Sequence, residues 1–282
     1  LFVPSYFAGR FVGSVGMNKT IDMRLPHILV GGMPVALASD EQLNAAMLED
    51  VERRKSGSLH RAVTVFDSNA HAISSYASDE RFAKVINSAD IVHADGQIVV
   101  WASKISHNGP GIPERTATTD FIHTAAKMAQ EHGLSFYLLG GVEDINRHCA
   151  EKLVELYPGL KIAGRRNGYF SDAEEDDIVA DINASGADIL WVGLGKPKEQ
   201  YFSARIAPKL EHCAWVVTCG GCFHYVVGDY PRAPLWMQNF GLEWVHRIAT
   251  GPRYLFTRYL VTVPHALSIV LKKDVSRLFS RR

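Results

Sequence analysis

Six short runs of β-branched and aromatic residues punctuate the chain, and each ends in a loop before a helical pattern begins. Ala62–Phe66 is followed by Asp67-Ser68-Asn69, and Ile91-Val92 by His93-Ala94-Asp95-Gly96. Phe136–Leu139 is followed by Gly140-Gly141, after which Ile145, Cys149, Leu153 and Leu156 recur at helical spacing. Lys161–Ala163 leads to Gly164-Arg165-Arg166, Ile189–Val192 to Gly193-Leu194-Gly195-Lys196-Pro197, and Trp215–Thr218 to Cys219-Gly220-Gly221. Strands that alternate with helices build a mostly parallel sheet with helices on both faces. The pattern therefore predicts an α/β, Rossmann-like fold.

That architecture dictates where chemistry sits, because ligands of open α/β sheets bind outside the carboxyl ends of the strands. The loops there carry Asp67, Asn69, Asp95, paired glycines, Lys196 and Lys198. Glycines allow backbone N–H groups to approach a phosphate, and a following helix adds its positive N-terminus. None of the loops reads G-x-G-x-x-G or G-x-x-x-x-G-K-[ST], which argues against a nicotinamide oxidoreductase and a P-loop enzyme. A nucleotide-sugar pyrophosphate on Gly-rich strand ends remains.

The 282 residues, 47% hydrophobic and 21% charged, suffice for one large α/β domain with a small appendage. The net charge is zero, so bulk charge does not point to nucleic acid. Its distribution is uneven. Residues 245–282 hold eight Lys or Arg and the single acid Asp274, a net +7, which leaves 22 basic and 29 acidic residues in the rest, a net −7. A basic tail on an acidic body suggests an anionic partner for the tail.

The composition changes after residue 228, where Arg, Trp and Tyr become frequent, and the stretch from Leu255 ends in Lys272, Lys273, Arg277, Arg281 and Arg282. An apolar stretch followed by basic residues reads as a membrane-surface element more than a core helix. Tyr259–Leu271 contains Pro264 and His265 and is too short to span a bilayer. The expected division is a poorly specified arm over 1–25, an α/β core over 26–228 and a helical, membrane-associating appendage over 229–282. The arm lacks the basic start and long apolar core of a signal peptide. Cys149, Cys213, Cys219 and Cys222 include one C-x-x-C without a second pair, so small buried thiols are expected rather than a zinc site.

Several blocks, in order, resemble the WecG/TagA/CpsF glycosyltransferases of bacterial cell-surface polymer synthesis. They are Ala94-Asp95-Gly96 with Val99-Val100 and Ala102-Ser103-Lys104, Pro113-Glu114-Arg115 with Asp120, Tyr157-Pro158-Gly159, and Gly168-Tyr169-Phe170. Gly193-Leu194-Gly195 with Pro197-Lys198 follows, then Gly220-Gly221, Phe223, Arg232-Ala233-Pro234 and Gly241-Leu242-Glu243-Trp244 with Arg247. The resemblance runs from about Ile28 to Leu271.

It implies an inverting hexosyltransferase that needs no metal or cofactor. The enzyme would move a sugar from a nucleotide-sugar, UDP-linked by expectation, to an undecaprenyl-diphosphate-linked saccharide in surface or exopolysaccharide synthesis. The chain carries no D-x-D, in keeping with that. The expected place is the cytoplasm, peripheral on the inner face of the membrane; the oligomeric state, a homo-oligomer included, is left open. By resemblance Asp95 is the catalytic base, a carboxylate able to take the acceptor hydroxyl proton. The competing structural role is to cap the following helix. Asn69 matches a family Asn and would contact sugar, Arg247 would neutralise diphosphate charge, and Arg253 and Arg258 would either share that task or form a solvated basic face. Gly96, Gly140, Gly141, Gly195, Lys198, Glu199, Gln200, Gly220, Gly221 and Arg232 complete the expected substrate site.

The chain departs from the family pattern at several of these places. Asp67 stands where Thr is usual, Glu199-Gln200 reverse a Gln-Glu order, His71 and His224 replace acids, and Gly251-Pro252-Arg253-Tyr254 alters an E-P-R-R. Asp67 would either contact sugar or raise the pKa of a neighbouring carboxylate. A chain altered in this way could also be an inert nucleotide-sugar or glycolipid-binding scaffold in an export complex.

Overall fold

The computed structural model of the chain describes residues 25–106, 111–251 and 253–275, without the side chains of residues 106, 253 and 254. It begins with a hairpin that the strand–helix reading did not include. β1 (His27–Val30) and β2 (Met33–Ala36) pair antiparallel. Gly31 and Gly32 close it at φ 58° and 87°, in the left-handed region that two-residue hairpin turns require.

The main sheet contains β3 (Val63–Ser68), β4 (Ile91–Ala94), β5 (Ser135–Gly140), β6 (Lys161–Arg166), β7 (Ile189–Gly193) and β8 (Trp215–Thr218). Their order is β4-β3-β8-β7-β5-β6, and all neighbours are parallel. All residues of β3, β4, β5, β7 and β8 are buried, as expected of strands covered on both faces. β6, at the edge, exposes Lys161 and Arg165, and charge there blunts an open edge. Several strands run further than their apolar cores. Asp67 and Ser68 end β3, and His93 and Ala94 end β4, rather than following them as loops. The ladder thus carries polar side chains right up to the rim.

The helices are α1 (Asp40–Lys55), α2 (Ala70–Ser78), α3 (Glu80–Ser88), α4 (Gln97–Ser106), α5 (Thr118–His132), α6 (Glu143–Leu156), α7 (Glu175–Ser185) and α8 (Lys198–Ile206). After β8 come α9 (Cys222–Val226), α10 (Leu235–Asn239), α11 (Glu243–Thr250) and α12 (Arg253–Val270). Alternate strand residues serve opposite faces. Val65, Leu138, Trp191 and Val217 pack with α1, α5 and α6. Leu139, Leu190, Val192 and Val216 pack with α7 and α8, while Phe66 and Val92 pack with α2, α3 and α4.

The C-terminal helix has two apolar faces. On the inner one, Ala266, Ile269 and Val270 join the same core as Ile28, Val30, Met33 and Ile73, and Leu255, Tyr259 and Val263 pack near Trp244 and Ile248. Ser74 Oγ and His265 Nδ1 lie 2.8 Å apart across the α2–α12 contact. Beyond the helix, buried Asp274 accepts the Gly31 N–H at 2.8 Å and ties the chain end to the hairpin turn. The outer face leaves Phe256, Leu260, Val261, Leu267 and Leu271 exposed. The segment read as a surface element is therefore a core helix on one side. Among the described residues, no helix is long and apolar enough to cross a membrane.

Candidate active site

A cavity of about 390 Å³ opens at the carboxyl ends of β3, β4, β7 and β8, with α11 and α12 forming its outer wall. Its floor is a linked set of polar side chains. Asp67 Oδ1 accepts the Thr218 hydroxyl at 3.1 Å, and Oδ2 is bonded by the Lys196 ammonium. Asn69 caps α2 through Oδ1, which accepts the Ala72 N–H at 3.2 Å. That cap turns its amide nitrogen to Asp95 Oδ2 at 3.1 Å.

Asp95 follows β4. Its Oδ1 accepts the Thr118 N–H at 2.9 Å and the Thr118 hydroxyl at 3.3 Å, so it fastens the start of α5, not of the adjacent α4. Asn69 is the partner found for Oδ2 among the described residues, and Asp95 lines the cavity. Burial pushes the Asp95 carboxyl up, but Lys196, the Thr118 N–H, Arg247 and Asn69 outweigh it and hold the pKa down at about 2. Asp95 is ionised throughout the physiological range.

Glu199, in the first turn of α8, behaves in the opposite way. Its Oε2 accepts the N–H groups of Gly195 at 2.9 Å and Gly220 at 3.0 Å, tying the β7 and β8 loops together. Burial, with Asp67 nearby, raises its pKa to about 7 against the pull of Lys196. His71, on the first turn of α2, is lowered to about 4 by burial, Lys196 and Arg258, and presents a neutral imidazole to the cavity.

Several of the glycine amides expected to face a phosphate are spent within the protein. The N–H groups of Gly96, Gly141, Gly195 and Gly220 all bond protein acceptors. Gly96 lies so near Asn69 that a Cβ would stand 3.0 Å from its Cα, and a Cβ on Gly140 would run into the Gly193 backbone. Close backbone approach, rather than free donors, accounts for glycine at 96 and 140.

Positive charge reaches the cavity from the helical wall as well. Arg247 on α11 bonds Glu243 at 2.9 Å and stacks 4.9 Å from the Tyr225 ring centroid. Arg258 on α12 lies 4.9 Å from the Tyr259 ring centroid. The Nε of each is buried and has no hydrogen-bond partner among the described residues. Glu243 is held in turn by Arg115 at 2.7 Å.

The cavity therefore unites Asp67, Asn69, Asp95, Gly96, Gly195, Glu199, Gly220, Gly221, Arg247 and Arg258. Other expected site residues lie elsewhere. Arg232 is engaged by Thr119, Asp120 and Gln238 beside the wall. Lys198 reaches the Phe170 ring, Gln200 is buried behind the floor, and Gly140 and Gly141 line the neighbouring β5 end. The Arg253 side chain is outside the described residues. Lys196, named with the strand-end loops but given no role, and Thr118, Tyr225, Glu243 and His71, not expected as substrate contacts, also line the cavity. Lys196 had a local signal, since it follows Gly195 directly at a strand end. Tyr225 and Thr118 had none, because each reaches the cavity only through helix placement. Cys219 and Cys222 are buried in the cavity lining; burial raises both thiols well above their ordinary range, and Cys222 Sγ donates to Thr118 O at 3.6 Å. Among the described residues, no group of three or more His, Cys, Asp or Glu is placed to hold a metal.

Comparison with known proteins shows what the chain as a whole is similar to. The family model of the WecG/TagA/CpsF glycosyl transferases matches residues 28–279. A curated relative from Bacillus spizizenii, named N-acetylglucosaminyldiphosphoundecaprenol N-acetyl-beta-D-mannosaminyltransferase, is 30% identical over 225 residues, covering 76% of this chain and 84% of the relative.

Proposed function

Because the chain belongs to the WecG/TagA/CpsF family of glycosyltransferases, we propose that it moves a hexosyl group from a UDP-sugar to a sugar on undecaprenyl diphosphate, with inversion and without a metal. The observation that carries this reading is the cavity's division into two parts. An ionised carboxylate, Asp95, whose Oδ2 has the Asn69 amide as its partner among the described residues, lies on the floor, and the guanidinium groups of Arg247 and Arg258 stand on the wall.

In this mechanism the acceptor hydroxyl attacks the anomeric carbon from the face opposite UDP. The new C–O bond forms as the bond to the β-phosphate oxygen breaks, and UDP leaves with that electron pair. Asp95 takes the hydroxyl proton. With a pKa of about 2 it is a weak base, so the proton moves late, once bond formation has made the hydroxyl acidic. Arg247 and Arg258 neutralise the charge that grows on the departing diphosphate. Glu199 has the pKa nearer neutrality, but its oxygens are occupied by Gly195, Gly220 and Gln200, which makes it a fastening for the floor.

The acceptor's lipid is accommodated by the outer face of α12 and by α10, where Leu235, Trp236 and Phe240 are exposed. These groups, with Lys272 and Lys273, would rest on an anionic membrane surface at the inner face of the membrane. UDP release from a UDP-sugar, measured with and without a short polyprenyl-diphosphate saccharide and with and without EDTA, tests the proposal. Release should require the acceptor and should survive EDTA within about a factor of two, or under ~0.5 kcal/mol of barrier. Acceptor-independent release, or loss restored by Mn²⁺, would count against it.

A further inference from the structure

His71 is the second residue of α2 and lines the cavity. Neither of its ring nitrogens has a hydrogen-bond partner among the described residues, and neither is closed off from solvent. The contact between α2 and α12 sets what the ring meets. Ala70 packs with Leu255, Tyr259 and Val263, and one turn further on Ser74 Oγ lies 2.8 Å from His265 Nδ1. The two helices therefore run alongside each other, and His71, on the same side of α2 as Ser74, comes level with Arg258. Arg258 has no carboxylate partner among the described residues; its guanidinium reaches the Tyr259 hydroxyl at 3.3 Å. The other cations of the lining are paired, Arg115 and Arg247 with Glu243, and Lys196 with Asp67. The cavity's unpaired positive charge and its free imidazole thus stand together.

We propose that His71 is a ligand of the donor's diphosphate and binds it as an imidazolium, taking up one proton from solvent when the donor enters and returning it when UDP departs. The inference rests on the reading of the cavity as a UDP-sugar site and adds a residue and a proton to it.

Charge supplies the first argument. Burial, Lys196 from the loop after β7 and Arg258 from α12 oppose a proton on the ring, and Asp67 from β3 favours one; the balance leaves the imidazole neutral with a pKa of about 4. Asp95, Arg115, Glu199, Glu243 and Arg247 are the other charged residues of the lining. A diphosphate seated against Arg258 brings a pair of negative charges and offsets the cations that keep the ring neutral. One such charge at about 4 Å, at an effective dielectric constant near 20, raises a neighbouring base by roughly three pH units.

Hydrogen bonding supplies the second. The ionised oxygens of a diphosphate accept and do not donate. A neutral imidazole has one donor and one acceptor, so its second nitrogen would face them without a proton between. The imidazolium donates from both nitrogens. Charge-assisted bonds of this kind are about twice as strong as neutral ones. A sugar hydroxyl would be served by the neutral ring, but it would leave Arg258 uncompensated.

The test uses the full chain and UDP. The resonances of the 12 histidine rings are followed against pH, and that of His71 is the one missing in both His71→Gln and His71→Asn. Its titration midpoint should move from about 4 in the free chain to about 6–7 with saturating UDP. Uridine should leave it in place. Affinity supplies an independent reading. UDP's own terminal phosphate titrates in this range, so wild type and His71→Gln are compared with the same ligand. Between pH 8 and pH 6 the wild type should gain about two- to tenfold on the variant. A midpoint unmoved by bound UDP overturns the inference, as does an equal shift with uridine. A shift produced by geranyl diphosphate, an acceptor mimic, and not by bound UDP would assign His71 to the acceptor and overturn it too. Transfer is scored separately by acceptor-dependent UDP release. Release without a His71 shift would remove the inference alone, and a shift without release would leave the diphosphate contact standing and remove the transfer reading.

Discussion

The floor of the cavity stands on strand ends, and its carboxylates are fixed by partners from the sheet rim: Thr218 and Lys196 on Asp67, Thr118 and Asn69 on Asp95, two glycine amides on Glu199. The wall stands on helices, α11 being eight residues long, and leaves the Nε atoms of Arg247 and Arg258 without partners. A floor already satisfied internally fixes geometry and protonation before a ligand arrives. A wall that brings two guanidinium groups to the cavity keeps positive charge there for a charged ligand. The contrast separates the step that needs a positioned base from the one that needs neutralised charge.

The sharpest way to break this comparison is at Asp95. Asp95→Asn retains an acceptor for the Thr118 N–H but removes basicity, so kcat should fall about 10²–10⁴-fold. Donor KM should change little, because the proton comes from the acceptor. A large rise in donor KM with kcat preserved would move Asp95 to the binding side. Substituting the wall should give a different pattern. Arg247→Met and Arg258→Met each remove charge-assisted bonds worth about 1.5–3 kcal/mol to a diphosphate that is charged when bound and more so as it departs, so kcat/KM should fall about tenfold to a hundredfold, with donor KM raised as well as kcat lowered. Arg258→Met is the cleaner of the two, since Arg247 also holds Glu243.

A third experiment separates the two faces of α12. Ser at 256, 260, 261 and 267 should reduce binding to anionic vesicles about tenfold or more and leave the thermal midpoint within about two degrees, because these side chains are exposed in the fold. Ala266→Asp, buried against the hairpin core, should lower the midpoint strongly. Binding of the unaltered chain should weaken with salt, since the basic part of the attraction is screened. If the Ser variant melts early, the outer face is not a free surface.

The smallest effect concerns Glu199. Its pKa in the fold, about 7, lies above the ordinary 4.5, so the folded state holds a proton that the unfolded state has released. Stability from this group is present below pH 4.5 and is lost as pH rises to about 7. Glu199→Gln cannot titrate, so its midpoint should gain on the wild type between pH 5 and pH 8. A constant offset across that range would mean that Glu199 is ionised throughout.

Much of this molecule is local information, and that part is legible in the chain. Apolar runs that alternate with helical spacing determined a parallel sheet with two covered faces, because hydrophobic periodicity is written in consecutive residues. The same periodicity located the sheet edge at which the cavity opens, and the family resemblance pointed to Asp95, Asn69 and Arg247, which the fold gathers in one cavity with Arg258. The Gly31-Gly32 turn is local information too, since paired glycines take the positive φ that a two-residue hairpin turn requires, although the strand–helix pattern does not include it. Other features depend on partners distant in sequence. Asp67 and Lys196 are 129 residues apart, and neither residue type states that the other neutralises it. The glycine amides were expected for phosphate, yet which acceptor an N–H meets is settled only when Glu199 swings between two loops. Apolar composition showed that α12 had surface to cover but not which face would find the hairpin and which would stay open. Burial and charge pairing are properties of neighbours in space, and the tertiary structure alone supplies those neighbours.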